Sequence, residues 1–267
     1  MQARTKRGQT YKKPNILTLD IETAPLSAYT WGLWEQNIGL DMVKNDWRIL
    51  SVAWKWLGHK TVHFESAEIV RGEVNDARLL QTLYGMLDHA DIVVTQNGLD
   101  FDIKRINARL VEAGYSPYTP VRHIDTKRVA KQVFGFTSNR LEWMGERIAG
   151  VVKDKHRKFP GFELWRECLA GNLAAWAEME KYNKRDVLAT EALYLKLRPW
   201  IPNHHNVAVY REDGVLACPR CGCHGWMQKR GKTVTNGGVY TRLVCGSCGG
   251  WSRMRAREKV ALPPSTS

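Results

Sequence analysis

Residues 15–25, NILTLDIETAP, constrain this chain more tightly than any other stretch. Aliphatic residues alternate there as in a β-strand, and Asp20 and Glu22 then fall where a buried strand stays apolar. Side chains two apart on a strand share a face, so the two carboxylates point the same way and repel each other. Two readings account for them. A strand end that meets solvent tolerates both charges. Alternatively, a bound cation turns repulsion into attraction, and hard divalent cations such as Mg²⁺ and Mn²⁺ prefer oxygen ligands of this kind.

A cation site needs further carboxylates, and two later stretches offer them. QNGLDFDIKRI, residues 96–106, puts Asp100 and Asp102 between a strand and a helix. Either acid suits a helix N-terminus, as a cap or a first-turn residue. Asp100 is expected to be the cap, which leaves Asp102 as the better ligand. In YNKRD, Tyr182 and Asp186 lie four apart on one helical face, so hydroxyl and carboxylate can converge on one point. Alone, such a pair equally marks the edge between core and surface.

Periodicity places these stretches in a fold. ILTLDI and ILSVAWKWLGHKTVHFES (49–66) predict three consecutive strands, the last two joined by a tight turn at Gly58-His59. Leu79, Leu80, Leu83, Met86 and Leu87 make a helical stripe, DIVVTQ returns to strand, and Ile103, Ile106 and Leu110 line one side of a helix over 100–114. A short strand near VRHID, a helix from Thr126 and a second helix through LEWMGERIAG follow. The charged loop VVKDKHRKFPGFE precedes a last helix, about residues 172–198, that carries Leu173, Trp176, Met179, Tyr182 and Asp186 and is stopped by Pro199. Three strands followed by alternating helix and strand predict an α/β fold, a mixed sheet with helices on both faces.

The ordered set, D-x-E on the first strand, N-x-x-x-F-D after a later strand and Y-x-x-x-D on the final helix, resembles the DEDD superfamily of 3′-5′ exonucleases, which have a ribonuclease H-like fold. The resemblance covers roughly residues 15–198. Lys181 stands where one branch has His, and Tyr182 aligns the chain with the tyrosine branch. The resemblance implies that Asp20 bridges two metals, that Glu22, Asp102 and Asp186 complete their ligands, and that Tyr182 positions the attacking water. Asn97 and Phe101 match supporting positions, and Asp125 is expected to be a helix cap. The implied activity is metal-dependent 3′-5′ exonucleolytic hydrolysis of phosphodiester bonds with two Mg²⁺ or Mn²⁺, on nucleic acid, with DNA favoured. Two such ions neutralise both the attacking and the leaving oxygen. An unperturbed tyrosine titrates near ~10, so Tyr182 is expected to orient water rather than deprotonate it. The alternatives are a ribonuclease H-like endonuclease, an RNA exonuclease, or a non-catalytic nucleic-acid-binding adaptor. The presence of all four carboxylates and Tyr182 argues against the last.

Charge agrees with an anionic partner: 40 Lys+Arg stand against 27 Asp+Glu, a net +13. No apolar run approaches the roughly 20 residues needed to span a bilayer, and MQARTKRGQTYKKP is basic without an apolar segment behind it. A cytoplasmic protein without membrane association is therefore expected, with a replication or repair protein as a candidate partner. In that compartment six cysteines argue for metal binding or burial, not disulfides.

Cys218-Pro-Arg-Cys221 and Cys245-Gly-Ser-Cys248 are two C-x-x-C knuckles around a Gly-rich, hairpin-like stretch, the pattern of a zinc ribbon with one structural Zn²⁺. Cys223 and His224 are close enough to be rival ligands, and Cys168 is expected to be a buried hydrophobe. Over residues 214–260 nine basic residues face one acid, Glu258, with Trp226, Tyr240 and Trp251 interleaved. Nucleic-acid binding is one reading of this module and protein docking its rival. The expected organisation is a basic flexible arm (1–14, with Arg4, Lys6, Arg7, Lys12 and Lys13), a ribonuclease H-like domain (15–203), a small zinc-ribbon domain (204–260) and a disordered tail (261–267). Trp31, Trp34, Trp47, Trp54 and Trp56 are expected to pack under the long segment Ala24 to Asp46 rather than stack on bases. Lys153, Lys155, His156, Arg157 and Lys158 either grip a substrate backbone or form a solvated run.

Overall fold

Ile16–Thr23 (β1) is the central strand of a five-stranded sheet completed by Ile49–Trp56 (β2), His63–Ser66 (β3), Ile92–Thr95 (β4) and Arg122–Asp125 (β5), in the order β5-β4-β1-β2-β3. β1 pairs antiparallel with β2 and β2 with β3, whereas β4 runs parallel to both β1 and β5. The sheet is thus mixed, as the order of elements predicts. This computed structural model describes residues 3–4, 10–11, 13–151, 156, 158–211 and 213–258. Lys6, Arg7, Lys12, Lys153, Lys155, Arg157, Lys259 and the tail from 261 lie outside the described residues. The chain forms two compact units, residues 15–194 and residues 1–14 with 195–267. The link between β2 and β3 occupies residues 57–62, longer than the tight turn expected, because the ladder resumes only where His63 faces Trp54 and their rings stack at 5.1 Å.

The helices are Ala77–His89 (α1), Asp102–Glu112 (α2), Thr126–Val133 (α3), Leu141–Met144 (α4), Glu163–Leu169 (α5) and Leu173–Leu197 (α6). Alternation along β1 decides what each face of the sheet meets. Leu17, Leu19 and Ile21 share a core with Val52 of β2, Leu79, Leu80, Leu83, Met86 and Leu87 of α1, and Ile103, Ile106 and Leu110 of α2. Each fully buried leucine there contributes about 1.5–3 kcal/mol. A second cluster joins Leu50 and Ala24 to Phe159, Leu164 and Cys168, and to Ala175, Met179 and Tyr182 of α6. Thr18, Asp20 and Glu22 alternate with the first set and so take the α6 side. The segment after α4 is a π-turn, Gly145–Ala149, closed by Gly150 in the left-handed region at φ +70°. α6 ends in a 3₁₀ turn holding Pro199, as expected, but Leu173 at its start is 83% exposed and the buried stripe begins at Ala175.

The aromatic residues of the early insertion divide. Trp47, Trp54 and Trp56 pack against the first core, and the Arg105 guanidinium lies 4.1 Å from the Trp47 ring. Trp31 and Trp34 do not pack as expected: they are 97% and 84% exposed. Their segment is closed by a short ladder between Ser27–Ala28 and Val43–Asn45 with flanking backbone bonds from Ala24 and Tyr29, too small to bury the apolar residues between them.

In the second unit Met227–Thr235 (β6), Gly238–Cys245 (β7) and Trp251–Arg257 (β8) form an antiparallel sheet with β7 in the middle. The Arg220 guanidinium donates to the carbonyls of Arg198 and Ile201 and to that of Trp251, so one side chain ties the first knuckle to the segment after α6 and to β8. Ala3–Arg4 pairs antiparallel with Thr10–Tyr11. No helix among the described residues is long and apolar enough to cross a membrane.

Candidate active site and metal centre

Asp20 and Glu22 lie opposite Ala53 and Ser51 of β2, and the pairing becomes irregular directly after Glu22. A bulge at a strand's end bends it and re-aims its side chains. Asp102 is the first residue of α2 and is buried; its Oδ1 accepts the Ile21 N–H at 3.0 Å, between the two acids of β1. Asp100 is not the cap expected of it. The α2 N-cap is Phe101, without a side-chain bond, and the Asp100 carboxylate instead takes the Arg128 guanidinium at 2.7 Å, with Lys104 Nζ 3.8 Å away. A charge-assisted pair outcompetes a bond to a neutral N–H. Arg128 accordingly holds Asp100 below the usual carboxylate range.

The loop from β4 to α2 is shaped by three residues. Asn97 sits at φ +69°, a left-handed conformation that Asn tolerates. At Gly98 a Cβ would lie 2.3 Å from Thr95 Oγ1, so only glycine fits. Asp125 caps α3 by accepting from Lys127 N and Arg128 N, as expected, and also takes the N–H groups of Asn97 and Leu99 at 3.0 and 3.2 Å. Phe101, beside the Arg105 guanidinium at 5.6 Å, is 37% exposed.

From α6 the Tyr182 hydroxyl bonds the Asp186 carboxylate one turn on. The Tyr182 ring meets His156 at 5.2 Å and Trp165 at 6.2 Å, both edge-on. Burial, and then the negative charges of Asp186, Glu22 and Asp20, push Tyr182 upward, so its hydroxyl keeps its proton at neutral pH. Burial also raises Asp20 well above its ordinary value, helped by the charges of Asp102, Glu22 and Asp186 and opposed by a bond from Asn183. Asp102 is pushed up to about 6, again chiefly by burial. The five residues singled out by motif therefore come together around one end of β1.

Four residues of this face carried no motif. Asn183 is fully buried; its Nδ2 donates to Asp20 Oδ2 at 2.6 Å while its Oδ1 accepts from Ser51 Oγ at 3.1 Å. Further along, Lys55 of β2 and Glu191 of α6 form a buried ion pair at 2.5 Å. Asn183, adjacent to Tyr182 and three before Asp186, is legible in hindsight. Lys55 and Glu191 signal themselves only as charges within apolar runs.

The second site is sulfur. One Sγ from each of Cys218, Cys221, Cys245 and Cys248 lies within 4.8 Å of the other three. The Cys218–Cys248 and Cys221–Cys245 separations are 3.7 and 3.8 Å. A tetrahedron with metal–sulfur bonds of about 2.3 Å has edges of about 3.8 Å, so one ion fits. Backbone N–H groups of Arg220 and Gly250 point at Cys218 Sγ and Cys248 Sγ. A hydrogen bond from Cys221 lowers the Cys218 thiol to about 5, while the same pairing pushes Cys221 up. One thiolate thus opposes the next until a cation joins them. Cys223 and His224, the rival ligands, stay outside: Cys223 Sγ bonds the His224 carbonyl, and the His224 ring meets Arg211. Cys168 is buried as expected, its thiol pushed up to about 12 by burial.

The sequence profile of the RNase H superfamily matches residues 17–198. The chain belongs to the RNase H superfamily. No curated protein matches it in a sequence comparison. Among solved structures it is similar to the family B DNA polymerase from the hyperthermophilic archaeon Pyrobaculum calidifontis, with TM-score 0.53, 17% identity and 71% of this chain covered. The match spans 25% of the polymerase chain, and at that identity it speaks for the fold.

An RNase H superfamily fold supports a nuclease, which acts on nucleic acid and uses divalent metal. The residues present fit that metal. They supply hard oxygen donors, and a cation would offset both the burial of Asp20 and its repulsion by Asp102, Glu22 and Asp186. They are not drawn together as the cysteines are: among the described residues only the four cysteines form a group of three or more His, Cys, Asp or Glu side chains within 4.8 Å of one another. Bare carboxylates repel, and ligands shared by two ions about 3.5–4 Å apart need not converge on one point.

Proposed function

We propose that this protein is a metal-dependent 3′-5′ exonuclease of the DEDD tyrosine branch. It hydrolyses phosphodiester bonds of nucleic acid, with DNA favoured because the structurally similar protein is a DNA polymerase. The observation that carries the reading is the placement of Asp20, Glu22, Asp102 and Asp186 as electrostatic neighbours around one end of β1, with Asp102 Oδ1 on the Ile21 N–H and Tyr182 bonded to Asp186. In this reading Asp20, Glu22, Asp102 and Asp186 hold two Mg²⁺ or Mn²⁺. When bound, such ions supply an activated water and neutralise the leaving oxygen. Asn183 fixes the Asp20 carboxylate through Oδ2, and Ser51 fixes Asn183. Tyr182, kept protonated by its surroundings, orients the attacking water as a hydrogen-bonding group rather than removing its proton. The four cysteines hold one structural Zn²⁺, since a site closed by four sulfurs leaves no position for substrate.

The test is incubation with 5′-end-labelled single- and double-stranded DNA and RNA, with Mg²⁺, Mn²⁺ or chelator. A ladder shortening from the 3′ end is expected with metal and none with chelator. Internal cuts would replace the exonuclease with an endonuclease, and tight binding without cleavage would make the chain an adaptor.

A further inference from the structure

The sheet of the second unit has two unlike faces. Val239, Leu243 and Cys245 of β7 are buried and share one face with Thr241. The acid of the ribbon, Glu258, bonds Thr241 Oγ1 and Lys232 Nζ, the residues paired across β6 and β7 on that face. The opposite face carries Tyr240, Arg242 and Val244 of β7, and by register Trp251, Arg253 and Arg257 of β8 lie on it too. Between 214 and 258 Glu258 is the only acid, so this second face holds no carboxylate of the ribbon.

Arg242 and Arg253 are direct cross-strand partners. Like charges directly opposite are destabilising. Each guanidinium lies over an aromatic ring, Arg242 at 4.9 Å from Trp251 and Arg253 at 4.1 Å from Tyr240, which relieves part of the repulsion and lines up a ring, two cations and a ring along the face. Both arginines are exposed, and Trp251 is 48% exposed. Cations interleaved with one exposed and one half-buried aromatic ring suit a polyanion that also carries flat rings. A polyanionic lipid surface would use the charge but not the rings; a single strand of nucleic acid uses both.

We propose that this face binds a single strand of nucleic acid, with a phosphate between Arg242 and Arg253 and bases stacked at Trp251 and Tyr240. The proposal deepens the nuclease reading by assigning a strand-holding surface to the unit that does not carry the carboxylates, and rests on that reading for the class of substrate. The test uses the full chain without added divalent cation and fluorescein-labelled single-stranded DNA and RNA of about 24 nucleotides. The R242E/R253E protein should bind at least about tenfold more weakly, with a salt dependence shallower by about two units of slope. R242K/R253K should keep the slope, and Y240L/W251L should lose affinity with the slope unchanged. Bound metal in each variant reports that the ribbon is folded. Weakening on DNA, on RNA or on both supports the proposal; unchanged affinity and slope in metal-loaded R242E/R253E overturns it. The p-nitrophenyl ester of thymidine monophosphate has no second nucleotide for the ribbon to hold, so its hydrolysis reads the carboxylate site alone. A wild-type protein that cleaves nothing while its arginine variants lose the strand would sink the nuclease reading and leave this one standing.

Discussion

Asn183 donates from Nδ2 to Asp20 Oδ2 at 2.6 Å and to the Asp20 carbonyl at 3.2 Å, joining α6 to the strand that carries the first acid. Ser51 fixes the other end of the amide. Partners of this kind that orient a metal ligand are worth about 10–100-fold in metal affinity or activity. Asn183→Ala should lower kcat by about that factor and raise the Mg²⁺ concentration for half-maximal rate. Asn183→Asp should be worse, because it replaces the donor to Asp20 with an anionic acceptor that pushes the Asp20 carboxylate out of place. A metal titration of all three proteins checks the order; Asn183→Asp with wild-type metal dependence would refute the role.

Tyr182 and Asp186 share one hydrogen bond but carry different loads. Asp186 is a proposed metal ligand, so Asp186→Asn should reduce Mg²⁺-dependent cleavage by more than about 10³-fold. Tyr182→Phe keeps the packing against His156 and Trp165 and removes only the hydroxyl, so a measurable residue should remain, about 10–100-fold below wild type. Single-turnover rates on one labelled strand separate the two, and wild-type rates for Asp186→Asn would rule the site out.

The raised acids make the metal-free protein sensitive to pH in a defined direction. Asp102 moves from 3.8 to about 6 in the folded chain, so the folded state holds its proton more tightly than the unfolded state. Its contribution to stability is full below about 3.8 and is lost as pH rises through about 6. Without metal, melting at pH 8 should therefore be raised by Asp102→Asn, whose side-chain oxygen can still accept from Ile21, and melting at pH 4 should change little. Added Mg²⁺ should raise the wild-type Tm more at pH 8 than at pH 5, because protons and cation compete for the same oxygens. A larger Mg²⁺ effect at pH 5 would contradict this account.

The sheet, the helical stripes, the shared face of Asp20 and Glu22 and the four-cysteine cluster were legible because each is written in local spacing: period two in LTLDI, period 3.6 in α1, two residues between the cysteines of each knuckle. What was hidden depends on distant partners. Asp100 reads as a cap until Arg128, twenty-eight residues on, takes its carboxylate. Asn183 and Ser51 are 132 residues apart and nothing near either announces the other. Trp31 and Trp34 look like core by composition, and only the brevity of the ladder beneath them leaves them in water.

The four-sulfur cluster predicts which thiols matter to the metal. Cys218, Cys221, Cys245 and Cys248 bring their sulfurs within 4.8 Å, whereas Cys223 turns its thiol to the His224 carbonyl and Cys168 lies in the hydrophobic cluster with Met179 and Tyr182 of α6. One zinc per chain is expected by elemental mass spectrometry, retained in Cys223→Ser and Cys168→Ala and lost in Cys245→Ser. Structural zinc supplies about 10–16 kcal/mol of apparent binding energy to such modules, so its loss should unfold the β6–β8 sheet. Limited proteolysis should then cut Cys245→Ser between residues 204 and 258 while residues 15–194 stay intact, since the two regions form separate compact units. Zinc retained in Cys245→Ser but lost in Cys223→Ser would reassign the fourth ligand.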